Sequence, residues 1–144
     1  MCVTLTTGTN TCVIIEPWCP TYIGGRCYRL SEDRATWEEA KLNCEANSST
    51  LARIDSADLL MTLSNGLPKD IGVYIGGSDR VTEGQWVWAY GNVPINFTGI
   101  PHFLNIYREH QDCLMIKFAN NTATLQDTPC VNDKLYICQS SLVN

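Results

Sequence analysis

Tyr74-Ile75-Gly76-Gly77-Ser78-Asp79, followed three residues later by Glu83-Gly84-Gln85-Trp86-Val87-Trp88, is the stretch on which the fold turns. Two apolar segments, Val73 to Ile75 and Trp86 to Trp88, have strand character, and the paired glycines read as a turn between them. Cysteines bracket the stretch. Cys44 precedes it, and Cys113, Cys130 and Cys138 follow.

A chain of 144 residues is one domain's worth, long enough for a sizeable core. Its 8 cysteines include no C-x-x-C pair, so the metal-finger spacings are absent and a disulfide framework is expected. Three acceptor triplets agree with export: Asn47-Ser48-Ser49, Asn96-Phe97-Thr98 and Asn120-Asn121-Thr122. Met1 opens on a Thr-rich stretch rather than a basic and then apolar leader, so the chain is taken as a mature form. No apolar run is long enough to span a bilayer, so no membrane insertion is expected. The net charge of −5 argues against nucleic acid, which needs a basic footprint.

Residues 1–17 form an arm holding Cys2 and Cys12, with a turn expected over Thr6 to Asn10. The domain proper is expected over 18–141. Gly24-Gly25 marks a tight turn before a strand at Cys27 to Leu30. Thr36-Trp37-Glu38-Glu39 is a capping box, after which Trp37, Ala40 and Cys44 share one helical face. A second helix starts at Ser56, carries Leu59, Leu60 and Leu63 as its stripe, and stops at Asn65-Gly66. Short strands follow at Cys113 to Phe118, Ala123 to Leu125 and Leu135 to Cys138. Two early helices and many short strands indicate an α+β fold. Between Asn92 and Gln111 no clean period appears, and a stretch of that length without regular structure is a candidate functional loop.

The order of cysteines, glycine pair and tryptophan pair resembles a C-type lectin-like domain, over Cys19 to Cys138. The resemblance implies two helices, small antiparallel sheets and a long ligand-binding loop, stapled by Cys19–Cys27, Cys44–Cys138 and Cys113–Cys130. Spacing alone does not choose among the connectivities. Cys2 and Cys12 fall outside that set. They either bridge within the arm, as Cys2–Cys12, or bond between chains to give a covalent homodimer.

In sugar-binding members of the family, calcium is held by a Glu-Pro-Asn or Gln-Pro-Asp triplet, a later Glu and a Trp-Asn-Asp triplet. The matching positions here are Ile100-Pro101-His102, Gln111 and Leu125-Gln126-Asp127. The resemblance implies a cis bond before Pro101. Only Asp127 offers a carboxylate, whereas calcium takes roughly 6–8 oxygen ligands. The calcium-bridged sugar site is therefore expected to be lost or severely weakened. An auxiliary calcium position matches at Asp79, Glu83 and Asp112, and Asp79 to Gln85 resembles the mannose-binding collectins. Its alternative is an acidic cluster satisfied by Arg80 and loop amides. His102, Glu109, His110 and Asp127 form a candidate zinc set, imidazole and carboxylate suiting zinc better than calcium. The alternative is two exposed histidines that bind nothing structural.

Phe103 and Tyr107 are candidate ligand contacts beside His102, Gln111, Gln126 and Asp127, through rings that stack on a sugar or a partner protein. Loop-core packing is their other reading. Phe97 matches a core tryptophan of the family. Trp37, Trp86 and Trp88 are expected in the core, and Trp18 partly exposed. No Ser-His-Asp context, nucleophile elbow or H-E-x-x-H appears, so an enzyme is not expected. The expected function is a secreted glycoprotein that recognises glycans or other cell-surface glycoconjugates in innate immunity. The alternative is a protein-binding domain of the same fold. Ice or mineral binding is a third class to which no residue points.

Overall fold

The computed structural model describes residues 2–4, 12–14, 19, 21–96, 103–104 and 111–141, with backbone alone for 2–4, 12–14, 103–104 and 141. In chain order the elements are β1 (Cys2–Thr4), β2 (Cys12–Ile14), β3 (Thr21–Ile23), β4 (Arg26–Leu30), α1 (Trp37–Ala46), β5 (Thr50–Leu51), α2 (Ala57–Ser64), β6 (Gly72–Ser78), β7 (Val87–Trp88), β8 (Val93–Pro94), β9 (Phe103–Leu104), β10 (Cys113–Ala119), β11 (Thr122–Thr128) and β12 (Ile137–Ser141). The fold is α+β.

Among the described residues, β1 and β2 pair as an antiparallel ribbon. The turn expected over Thr6 to Asn10, the Cys2–Cys12 bridge, Trp18 and Phe97 lie outside the described side chains. A second sheet runs β3-β4-β12-β5, and a third runs β8-β7-β6-β10-β11-β9. Its last pair, β11 with β9, is parallel, an exception to the antiparallel expectation.

Local chemistry explains the elements. In the β3–β4 hairpin, Gly24 and Gly25 have φ of 57° and 84°, a left-handed pair that glycine adopts without strain. The Thr36 side chain accepts from the Glu39 amide, and Glu39 reaches back to the Thr36 amide, so the capping box forms and starts α1. Ser56 caps α2 in the same sense, accepting from Leu59 N–H. The α2 stop falls where expected, at Asn65-Gly66. Asn65 stays right-handed at φ −60°, and the end is closed by Gly66 and Leu67 amides donating to Leu63 and Ser64 carbonyls. These are the bonds of a tightened last turn.

The central strand is β6, buried on both faces. Alternation sends Val73 and Ile75 into one apolar cluster, with Leu60, Trp86, Leu114 and Leu125. Tyr74 points into the other, with Trp37, Cys44, Leu51, Cys113 and Tyr136. Trp37 Nε1–H donates to Ile75 O at 2.9 Å and fastens α1 to this strand.

Gly76 and Gly77 correct the sequence reading. They lie inside β6, not in a turn. From Tyr74 to Ser78 this strand advances four residues while β10 advances two, from Met115 to Cys113, so the glycines sit at a bulge. Freed from the ladder, Gly76 N–H donates to Ala52 O and Gly76 O accepts from Ala89 N–H, both at 2.8 Å. A Cβ on Gly76 would stand 2.9 Å from Leu51 O and 3.1 Å from Ala52 O, so backbone itself excludes a side chain. Gly76→Ala is expected to cost about 1–3 kcal/mol, read as a lowered urea midpoint. Gly66→Ala, whose methyl meets only Leu63 O at 3.8 Å, should stay within about 0.5 kcal/mol.

Among the described residues, three bridges join the elements: Cys19–Cys27, Cys44–Cys138 and Cys113–Cys130. The second ties α1 to β12, and the third pins the start of β10 beside the long loop.

Candidate functional site

The bulge delivers Asp79 to the end of β6, where Asp79 N–H donates to Asp112 O at 3.0 Å. That bond extends the β6–β10 pairing by one step and sets the two aspartates side by side. Beyond Asp79 the chain turns back. Gln85 N–H donates to Thr82 O at 2.9 Å, and Gly84, at φ 83°, aims its N–H at Asp79 Oδ2, 3.0 Å away. The same turn lays Glu83 over the pair. One carboxylate oxygen from each of Asp79, Glu83 and Asp112 lies within 4.8 Å of the others.

Among the described residues, this cluster is short of positive charge and of donors. Asp79 is only 3% exposed, and the buried Oδ1 atoms of Asp79 and Asp112 have no hydrogen-bond partner. Arg80, the cation adjacent in sequence, turns away. Its Nη1 donates to Glu38 at 2.6 Å, and its guanidinium lies 5.5 Å over the Trp37 ring. Of the satisfying groups the sequence offered, one amide, Gly84 N–H, reaches Asp79 and Arg80 does not.

Titration follows from this geometry. Burial pushes the Asp79 carboxyl above its ordinary range, Asp112 adds to the push, and the Gly84 N–H opposes it. Glu83 is raised too, first by its interaction with Asp112, although it is exposed. Buried carboxylates with unpaired oxygens are costly unless something positive joins them. Oxygen-only donors on a tight turn suit a hard cation such as calcium rather than zinc. The residues present therefore fit a calcium ion, which would supply the missing positive charge and close the turn against β10.

The other candidate residues are placed less completely. Gln111 is half-buried next to the cluster. On β11, Gln126 Nε2 donates to Thr124 Oγ1 at 2.9 Å, and Asp127 is 2% exposed opposite Leu114. Phe103 and Leu104 bring the loop backbone alongside Leu125 and Gln126. The side chains of Phe103, His102, Tyr107, Glu109 and His110, and the bond before Pro101, lie outside the described residues. So does the histidine half of the zinc set, leaving zinc without support in the described geometry. The sequence reading offered loop amides without singling out Gly84 as the donor. A glycine after Glu83, able to take positive φ, was the available signal.

Similar proteins share this framework. The family profile described as Lectin C-type domain matches residues 33–140. A C-type lectin mannose-binding isoform from Oxyuranus scutellatus is 29% identical, over 90% of this chain and 85% of its own length. Human C-type lectin domain family 17, member A is 32% identical over 86% of this chain, but the match spans only 31% of that longer protein. Among solved structures, the mouse scavenger receptor C-type lectin carbohydrate-recognition domain has a TM-score of 0.76 at 21% identity, covering 90% of this chain and 98% of that one. A calcium-independent type II antifreeze protein has the same TM-score and identity, covering 94% and 100%. With a matching profile over most of its length and the bridges, helices and sheets in place, the chain belongs to the C-type lectin domain family.

Proposed function

We propose that this chain is an extracellular recognition domain that binds saccharides on microbial or cell surfaces, with a calcium ion held by Asp79, Glu83 and Asp112 stiffening the base of its loop. The observation that carries the reading is the three-carboxylate cluster with two buried, unpartnered oxygens, set beside the Cys113–Cys130 bridge. When bound, calcium supplies charge neutralisation. The chain's own residues do the rest. Asp79 and Asp112 are fixed by the β6–β10 pairing, and Gly84 N–H orients Asp79. Glu83 shuts the turn, and the bridge anchors the loop's exit.

Saccharide is favoured over other ligands by the names of relatives, which include the mannose-binding isoform and an alpha-N-acetylgalactosamine-specific lectin from Patiria pectinifera. The Ile100-Pro101-His102 triplet leaves the loop without a full second calcium cage. Sugar hydroxyls and ring faces would then meet side chains directly, His102, Phe103, Tyr107, Gln111 and Gln126 being the contacts. Extracellular placement is supported by the disulfides, which persist in oxidising compartments. No helix among the described residues is long and apolar enough to cross a membrane. A role in innate immunity would follow from microbial glycans as ligands. Single-site affinity would be weak, and pairing of chains through Cys2 or Cys12 would raise avidity.

A glycan array probed with the chain multimerised on a scaffold, in calcium and in chelator, tests the proposal. Binding to a restricted set of saccharides that falls at least tenfold in chelator is expected. Silence on every glycan in calcium overturns it and leaves the protein-ligand reading.

A further inference from the structure

We propose that Asn120 is an N-glycosylation site, placed at the pole of the domain away from the carboxylate cluster. The inference rests on the extracellular reading above. Asn120 and Asn121 are the two turn residues of the β10–β11 hairpin, closed by the Ala119–Thr122 pair, with φ of 53° and 60°. A two-residue turn with both centres left-handed matches strand twist, and asparagine tolerates that conformation. Asn120-Asn121-Thr122 is also an acceptor triplet, so the residues that make the turn make the motif. All three are exposed. Thr122 Oγ1–H donates to Asn120 O at 3.4 Å, a long bond that leaves the asparagine side chain unengaged.

Position makes the glycan compatible with function. Asp112 precedes β10 and Asn120 follows it, so seven strand residues, about 23 Å at roughly 3.3 Å each, separate the tip from the cluster. A sugar chain there extends into solvent without covering the loop base. The triplet at Asn47 is less free. Ser49 is 8% exposed with its hydroxyl donating to Cys44 O at 2.7 Å, and the Asn47 amide donates to Asn43 O at 3.0 Å. The third, at Asn96, runs into residues outside the description. In the transfer, the Asn120 amide nitrogen bonds to the anomeric carbon of a lipid-linked oligosaccharide diphosphate. The amide loses one proton, and the lipid diphosphate leaves with the electron pair of the broken C–O bond. Transfer acts on the nascent chain, and the folded hairpin then accommodates the product.

The test expresses the full chain behind a supplied secretion signal in a eukaryotic host. Because the signal is supplied, the outcome speaks to Asn120 and not to natural export. Enzymatic deglycosylation in heavy-oxygen water should convert Asn120 to labelled Asp. Thr122→Ala should abolish that label and Thr122→Ser retain it. Neither substitution touches a left-handed residue, and both should leave the calcium-induced melting shift of the wild type unchanged. Asn120 recovered wholly unmodified, or label confined to Asn47 or Asn96, overturns the inference. So does label at Asn120 that survives Thr122→Ala.

Discussion

Replacing Cys44 and Cys138 together by alanine lowers the free energy of unfolding more than loss of either other described bridge. In the chain-entropy account, their separation of 94 residues corresponds to about 4–5 kcal/mol, against about 3 for Cys113–Cys130 at 17 and about 2.5 for Cys19–Cys27 at 8. Packing adds in the same direction. Cys44 is fully buried among Trp37, Tyr74 and Tyr136, where the sulfur fills space that alanine leaves empty. Unfolding in guanidinium, followed by Trp fluorescence on the three double-alanine variants, measures the order. The prediction fails if the Cys19–Cys27 variant unfolds at the lowest denaturant. The hairpin bridge closes a loop already held by the Gly24-Gly25 turn, so its loss should have the smallest effect of the three.

That bridge illustrates what the sequence could and could not say. Local chemistry was readable: Thr36 and Glu39 fixed the start of α1, Ser56 that of α2, and Gly24-Gly25 the β3–β4 turn. Non-local pairing was not, because cysteine spacing admits many connectivities and only likeness to known domains selected one. Gly76-Gly77 shows the same limit. Two glycines between apolar residues read as a turn, yet close approach by the Leu51 and Ala52 backbone is what excludes a side chain at Gly76, and the Leu114 and Ile95 side chains crowd Gly77. The candidate site divides similarly. Asp79, Glu83 and Asp112 were nameable as acids, but their convergence depends on a bulge, and the departure of Arg80 depends on Glu38 and Trp37 lying on α1. Short edge strands such as β5 carry too few residues for any period to register.

Asp79→Asn is expected to abolish the stabilisation that calcium confers while leaving the calcium-free fold at least as stable as the wild type. Ligand that binds the folded state alone stabilises it by about 2.7 kcal/mol at a hundredfold excess over Kd. For a domain of this size that is a rise in Tm of about 5–10 °C. Asparagine keeps an oxygen for the Gly84 N–H and offers an amide toward Asp112, so repulsion between two carboxylates is exchanged for a hydrogen bond. The pH dependence has a determinate sign. Without calcium, the folded state holds the Asp79 proton more tightly than the unfolded chain, whose ordinary value is 3.8. Stability from this group is then complete below that value and is lost as pH rises through the window up to the raised folded value. In chelator, wild type and Asp79→Asn should therefore melt together at the acid end, and the variant should pull ahead as pH rises through that window. With calcium the wild type reverses this, since the cation replaces the proton and is released on acidification. Calorimetric scans of both proteins across pH 3.5–7.5, in calcium and in chelator, give the full set. A wild type whose Tm ignores calcium, or a variant that keeps the whole shift, removes the cation from the loop base. A variant that melts below the wild type in chelator at neutral pH would show that the Asp79 carboxylate already has its counter-charge.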